Sequence, residues 1–256
     1  MKLLEYQAKE VLSSLGIAIP PGAVARTPAE AAEACSRLGP VAVKAQVPVG
    51  GRGKAGGIKL AHTPEEARRA AEQIIGMDIK GFRVPLVYCE TALDIAREIY
   101  LGFTVDRDAR ANILMLSAKG GMDIEQVAEE SPESIARLYP NPWRGPLDFE
   151  LTQLTYDAGL GELARPLSVL IKKLYRAIPD CDALTAEINP LVVTKSGEVI
   201  AGDAKLETDD NAAWRQKELE EKYGSVIEGD RLPPSPRQSP GSLREDGPAW
   251  CFDTSI

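Results

Sequence analysis

Apolar positions change their spacing several times along the chain, and the changes mark its elements. Ala8, Val11, Leu12 and Leu15 recur at helical intervals, and Gly16 stands where that helix would end. Thr27-Pro28-Ala29-Glu30 sets an N-cap, a first-turn proline and a capping-box glutamate ahead of a helix reaching about Leu38. Thr63-Pro64-Glu65-Glu66 repeats the device for a helix to about Ile75. Between and after these helices, Val41-Ala42-Val43 and the runs 84–88, 99–105 and 113–116 read as strands. Residues 163–178 return to helical spacing, with Pro166 expected to break the pattern early. Val192-Val193 and Val199-Ile200-Ala201, separated by Lys195-Ser196-Gly197-Glu198, read as a hairpin. Strands alternating with capped helices predict an α/β or α+β protein, and no internal repeat is visible.

Composition narrows the function classes. At 256 residues the chain can bury a substantial core. A net charge of −8 and a pI near 5.0 argue against a nucleic-acid or anionic-membrane surface. No apolar run approaches the ~18 residues that span a bilayer. The N-terminus lacks the cationic start and apolar centre of a secretory signal, and its early acid argues against a transit peptide. Cys35, Cys89, Cys181 and Cys251 are scattered without metal or redox spacing, so reduced thiols and a cytoplasmic setting are expected.

Two stretches carry chemistry. The strand 41–43 runs into Lys44, and Gly50-Gly51-Arg52-Gly53-Lys54-Ala55-Gly56-Gly57 then supplies five glycines and two cations. Glycines let backbone N–H groups approach a ligand closely and adopt positive φ, which suits a loop closing over phosphates. The spacing is neither the Walker A pattern nor the dinucleotide fingerprint, so a plain flexible loop stands beside the phosphate reading. Far downstream, Glu187-Ile188-Asn189-Pro190-Leu191 enters the hairpin and Gly202-Asp203-Ala204-Lys205 leaves it, which should gather Glu187, Asn189 and Asp203. Such oxygen ligands suit Mg²⁺, which binds one or two carboxylates, substrate phosphates and waters. A phosphate loop and a hard-cation site in one chain point to a Mg-nucleotide.

Leu4-Glu5-Tyr6-Gln7-Ala8-Lys9, the glycine loop, Glu187-Ile188-Asn189-Pro190-Leu191 and Asp209-Asp210-Asn211-Ala212 with Arg215-Gln216 together resemble the β subunits of ADP-forming succinate–CoA ligase. They also resemble the related malate–CoA ligase β subunits, and the similarity covers roughly residues 1–222. The resemblance implies an ATP-grasp fold. It implies a lid-like lobe at about 22–101 and a carboxylate-bearing lobe formed by about 1–20 with 102–222. Carried over by position, nucleotide contacts fall on Lys44, Gly51, Arg52, Gly53, Glu90 and Glu98, and magnesium ligands on Asn189 and Asp203. Glu187 matches a glutamate near the phosphohistidine of the partner. The implied activity is Mg-ATP/ADP phosphoryl transfer to a histidine on an α subunit, within an enzyme that also takes CoA and a dicarboxylate. The sole histidine here, His62, precedes a helix cap, where a surface role is expected, which fits the resemblance's implication that the transferring histidine lies on the partner.

Several positions depart from the resembled pattern. Pro48 replaces a common histidine, Leu93 a nucleotide-contacting threonine, and Lys119 an acid or glutamine. Residues 223–256 are rich in Pro, Ser and Arg without apolar periodicity and are expected to be disordered. The second α/β domain of the resembled subunits, which serves the carboxylate and CoA chemistry, is not recognised in these residues and is expected to be missing. Two readings therefore stand: a ligase subunit working with partner chains, and a nucleotide-binding module without turnover.

Overall fold

The computed structural model describes residues 1–224. In chain order these form α1 (Glu5–Ser14), β1 (Gly22–Ala25), α2 (Pro28–Leu38), β2 (Val41–Ala45), β3 (Ile58–Ala61), α3 (Pro64–Ile74), β4 (Asp78–Ile79) and β5 (Phe82–Arg83). They continue with β6 (Val87–Thr91), β7 (Ile95–Asp106), β8 (Ala111–Ser117), α4 (Ile124–Glu130), β9 (Ala136–Leu138), α5 (Asp148–Asp157) and α6 (Ala164–Tyr175). The last are α7 (Ala177–Cys181), β10 (Ala183–Thr194), β11 (Val199–Ala201) and β12 (Lys205–Thr208), followed by short helical turns to Gly224.

The strands make two main sheets. A four-stranded sheet has the order β1-β6-β2-β3, and a six-stranded one the order β11-β10-β7-β8-β9 with β12 paired to β10. Every registered pair is antiparallel, which decides for α+β. Each sheet has its own core. The first packs on α2 and α3 through small side chains, Ala31, Ala34, Ala67, Ala70 and Ala71 against Val41, Val43 and Cys89. The second buries larger ones, including Leu12, Phe103, Leu116, Leu151 and Leu174. Small residues bring helices close to a narrow sheet, and the Leu-rich stripes of α5 and α6 cover the broader one.

The capped helices form where their signals lie. Thr27 Oγ1 accepts from the N–H of Glu30 at 3.2 Å, and Thr63 does the same for Glu66. Each glutamate reaches one residue further back than a capping box requires, accepting from the N–H of Arg26 and of His62. His62 itself is exposed.

Three expectations need correction. The run 84–88 is not one strand, because Pro85 has no N–H for a ladder: Val84 still exchanges bonds with Gly76 and Met77 beside β4, and the next strand begins only at Val87. Pro166 does not break the following helix: it is the third residue of α6, in the first turn, where its missing N–H has no helical acceptor. Tyr223, expected to open a loose tail, is buried and donates its hydroxyl to Glu10 at 2.7 Å. The remainder of that expectation, from 225 on, lies outside the described residues.

Candidate functional site

A cleft of about 640 Å³ opens between the sheets, lined by the glycine loop, the β4–β5 turn, the 121–125 segment, the middle of β10 and the start of β12. The loop leaves β2 and returns as β3, closed by Ala45 N–H to Gly57 O at 2.7 Å and Gly57 N–H to Arg52 O at 2.9 Å. Gly57 has no room for a side chain: a Cβ there would lie 2.9 Å from Ile79 Cδ1 and 3.1 Å from Ala45 Cβ. Gly51 has φ +85°. The N–H groups of Gly51, Arg52 and Gly53 meet no protein acceptor among the described residues, so three backbone dipoles remain available to an anion.

Behind the loop, five buried charged side chains form a network that Asp203, part-exposed at the cleft, completes. Glu5 lies at its centre. Its Oε1 accepts from Lys44 Nζ at 2.9 Å and pairs with Lys9 Nζ at 3.1 Å, and its Oε2 accepts from Arg52 Nη1 at 2.6 Å. Glu90 on β6 pairs with both Lys9 and Lys44. The two lysines also donate to the carbonyl of Gly202, Lys9 at 2.9 Å and Lys44 at 2.7 Å. Arg52 Nη2 holds both oxygens of Asp203, at 2.8 and 2.7 Å. Three cations thus face three carboxylates, and the network ties α1, the first sheet, the glycine loop and the β11–β12 connection together.

Burial alone would push the Glu5 carboxyl up, but Arg52, Lys44 and Lys9 together hold it well below the usual carboxylate range. Burial opposes the charge on Lys44 as well, and Glu5, Glu90 and Asp203 overcome it and raise its pKa. Both groups are therefore fully ionised at neutral pH.

The oxygen donors stand opposite the loop. Leu191 pairs with Ala201 across the expected β10–β11 hairpin, which brings the segments bearing Asn189 and Asp203 side by side. Gly202 N–H and Asp203 N–H both approach Pro190 O, at 3.0 and 3.4 Å. Asn189 is oriented by two bonds, Gly121 N–H to its Oδ1 at 2.8 Å and its Nδ2 to Met122 O at 2.9 Å. An amide oxygen has two lone pairs, so one acceptor position on Asn189 stays open. Glu187 also lines the cleft, and burial raises its carboxyl above the usual range. Two carboxylates and an amide oxygen on one wall suit a hard divalent cation such as Mg²⁺.

The nine residues singled out from the sequence are not equivalent in space. Gly51, Arg52, Gly53, Glu187, Asn189 and Asp203 line the cleft. Lys44 and Glu90 are buried behind it in the ionic network. Glu98 is exposed on β7 and outside this lining, with its carboxylate beside Gly121, where an added Cβ would sit 2.5 Å from its Oε2. Glu5 and Lys9 are participants that sequence reading missed. Their i,i+4 spacing was a visible signal, but only the packing of α1 shows that the pair is buried.

A family model described as an ATP-grasp domain matches residues 2–193. The succinate–CoA ligase [ADP-forming] subunit beta of Rubrobacter xylanophilus is 50% identical over 221 residues, 86% of this chain. The succinate–CoA ligase [GDP-forming] subunit beta of Thermus thermophilus is 49% identical over 222 residues, again 86% of the chain. The chain spans 58% and 59% of the length of these curated relatives. Among solved structures, a dinucleotide-forming acetyl-coenzyme A synthetase 1 from Ca. Korarchaeum cryptofilum superposes with a TM-score of 0.64 at 20% identity. That match covers 81% of this chain and 93% of the other. The ATP citrate lyase of Methanothrix soehngenii gives 0.64 at 20% identity, covering 86% of this chain and 54% of that one. At such identities the likeness speaks for the fold, and with the family match over 2–193 it is decisive: the chain belongs to the ATP-grasp domain family.

Proposed function

We propose that this chain is the nucleotide-handling part of the β subunit of an ADP-forming carboxylate–CoA ligase, with succinate as the acid. In this reading it binds Mg-ATP or Mg-ADP and passes a phosphoryl group to a histidine of an α subunit. The observation that carries the reading is the cleft itself, which sets three unpaired backbone N–H groups and Arg52 against Glu187, Asn189 and Asp203. Similarity to succinate–CoA ligase β subunits supplies the acid, the partner and CoA. The two sheets with their separate cores serve as the two lobes.

Gly51, Arg52 and Gly53 hold phosphate oxygens, with Lys44 fixed behind them by Glu5 and Glu90. Arg52 must exchange the Asp203 carboxylate for a phosphate, an anion of matching bidentate geometry, and this frees Asp203. Asn189 and Asp203 then hold Mg²⁺, which would neutralise charge on the transferring group. Glu187 faces the cleft where an incoming imidazole would need an acceptor for its N–H. Glu90 and Glu98 belong to the nucleotide side, Glu90 by positioning Lys44.

Calorimetric titration with Mg-ATP tests the reading. The wild-type chain should bind, and Lys44→Ala should bind about ten-fold more weakly, because Lys44 balances Glu5 and Glu90 behind the loop that holds the phosphates. A melting curve confirms that the variant is folded. Equal affinity in the two proteins would refute the assignment.

A further inference from the structure

Five cations line the cleft, and four of them already face a carboxylate: Lys2 pairs with Glu207, Arg52 with Glu5 and Asp203, Lys54 with Asp123 and Lys205 with Glu187. The fifth, Lys80, has no carboxylate within ion-pair distance among the described residues. A lone ammonium in a cleft built around unpaired N–H groups is placed to receive an anion.

Its position is held by the fold. Lys80 and Gly81 form the two-residue turn between β4 and β5, with Ile79 opposite Phe82. Both turn residues have positive φ, +55° and +83°, the conformation of a type I′ turn. Asp78 Oδ1 secures the turn by accepting from Gly81 N–H at 3.0 Å. Asparagine or glycine is the favoured first residue of such a turn, and lysine is strained there. Strain of this kind is a pointer to function when the surroundings enforce it. Here they do: Ile79, next to the turn, is buried against the glycine loop where Gly57 leaves space. The Lys80 side chain extends over Gly51, its Nζ 3.2 Å from where a Cβ on that glycine would stand. The turn and the glycine loop are thus docked at two points, Ile79 on Gly57 and Lys80 on Gly51.

We propose that Lys80 is a further phosphate-binding residue of this cleft, contacting the polyphosphate of a bound nucleotide over Gly51. The inference rests on the nucleotide reading above. It assigns to the β4–β5 turn a direct part in holding the ligand, beside the glycine loop.

The test uses Lys80→Asn and Lys80→Arg with Mg-ATP, Mg-ADP and AMP in calorimetry, beside the wild type and Lys44→Ala. Asparagine suits the positive φ, so Lys80→Asn should fold and melt no lower than the wild type. It should nevertheless bind Mg-ATP about ten-fold more weakly, the loss expected for one charge-assisted contact. Mg-ADP should lose less and AMP nothing, and Lys80→Arg should stay within about two-fold of the wild type. Wild-type affinity for Mg-ATP in Lys80→Asn, with Lys44→Ala still impaired, overturns this inference and leaves the nucleotide reading standing. An equal loss for ATP and AMP also overturns it, since a contact to the polyphosphate must discriminate between them. Absence of nucleotide binding by the wild type overturns both.

Discussion

Two polar networks in this molecule use the same chemistry in opposite surroundings. In the buried one, Glu5 and Lys9 have side chains 1% and 0% exposed, and they share compensating charges with Lys44, Glu90 and Arg52, which are also buried. The other is a surface clamp at the α7–β10 junction. There Asp182 accepts from Arg215 Nε at 2.8 Å and from Gln216 Nε2 at 2.7 Å, with the arginine side chain 53% exposed. Hydrogen bonding from Arg215 lowers the Asp182 carboxyl to about 2. The sequence resemblance includes Arg215-Gln216 alongside the glycine loop, yet the structure gives the pair a tethering role, holding the last turns to β10. The lesson concerns dielectric rather than bond count. Water would solvate each partner of the clamp if it opened, whereas a member of the buried network has no alternative partner.

The largest effect should follow from breaking the buried side of this comparison. Glu5→Gln keeps the shape but leaves three cations against two carboxylates, and should cost about 3–5 kcal/mol in a guanidinium unfolding titration. A loss below about 1 kcal/mol would mean that the network is more hydrated than its burial indicates.

The pH dependence of that deficit sharpens the contrast. Glu5 titrates below its unfolded value, so its contribution is complete above pH ~4.3 and is lost as pH falls through the folded value. The gap between Glu5→Gln and the wild type should therefore narrow in acid. Asp182 follows the same sign over the window from about 4 down to about 2, with a contribution much reduced by solvent screening.

Arg215→Ala should shift the melting temperature by no more than about 3 °C, and the shift should vanish in 1 M salt, where the Debye length is about 3 Å. Lys9→Met, by contrast, should be destabilising at any ionic strength, because salt does not reach a buried charge. A salt-sensitive Lys9→Met deficit would erase the distinction drawn here.

The smallest expected effect has the opposite sign. Burial raises the Glu187 carboxyl, so its contribution to stability is present in acid and is lost as pH rises through the raised folded value. Glu187→Gln should melt slightly above the wild type at pH 7 and no higher at pH 4. A variant less stable at neutral pH would show that Lys205, 3.9 Å away, outweighs the burial.

Much of the architecture was legible locally. Thr27 and Thr63 cap their helices because the cap, the proline and the glutamate all lie within four residues. The β10–β11 hairpin forms because two apolar runs flank a short turn around Gly197, whose φ is +86°. The strand breaks were less legible: Pro85 interrupts pairing and Pro166 interrupts nothing, because a proline's effect depends on whether its N–H was needed.

The site divides along the same line. The sequence by itself determined the glycine loop, the cations on it and the oxygen donors flanking the hairpin, since each is a contiguous pattern whose chemistry follows from residue type and spacing. Only the tertiary structure decided that Glu5 binds Lys44, Arg52 and Lys9 at once, that Asp203 is held by Arg52, and that Lys80 reaches over Gly51. The ionic contacts among them join residues 39, 47 and 151 positions apart, as well as α1 to itself. A charge in a sequence has no dielectric of its own: whether it is a solvated surface group or part of a sealed network depends on what the folded chain places around it.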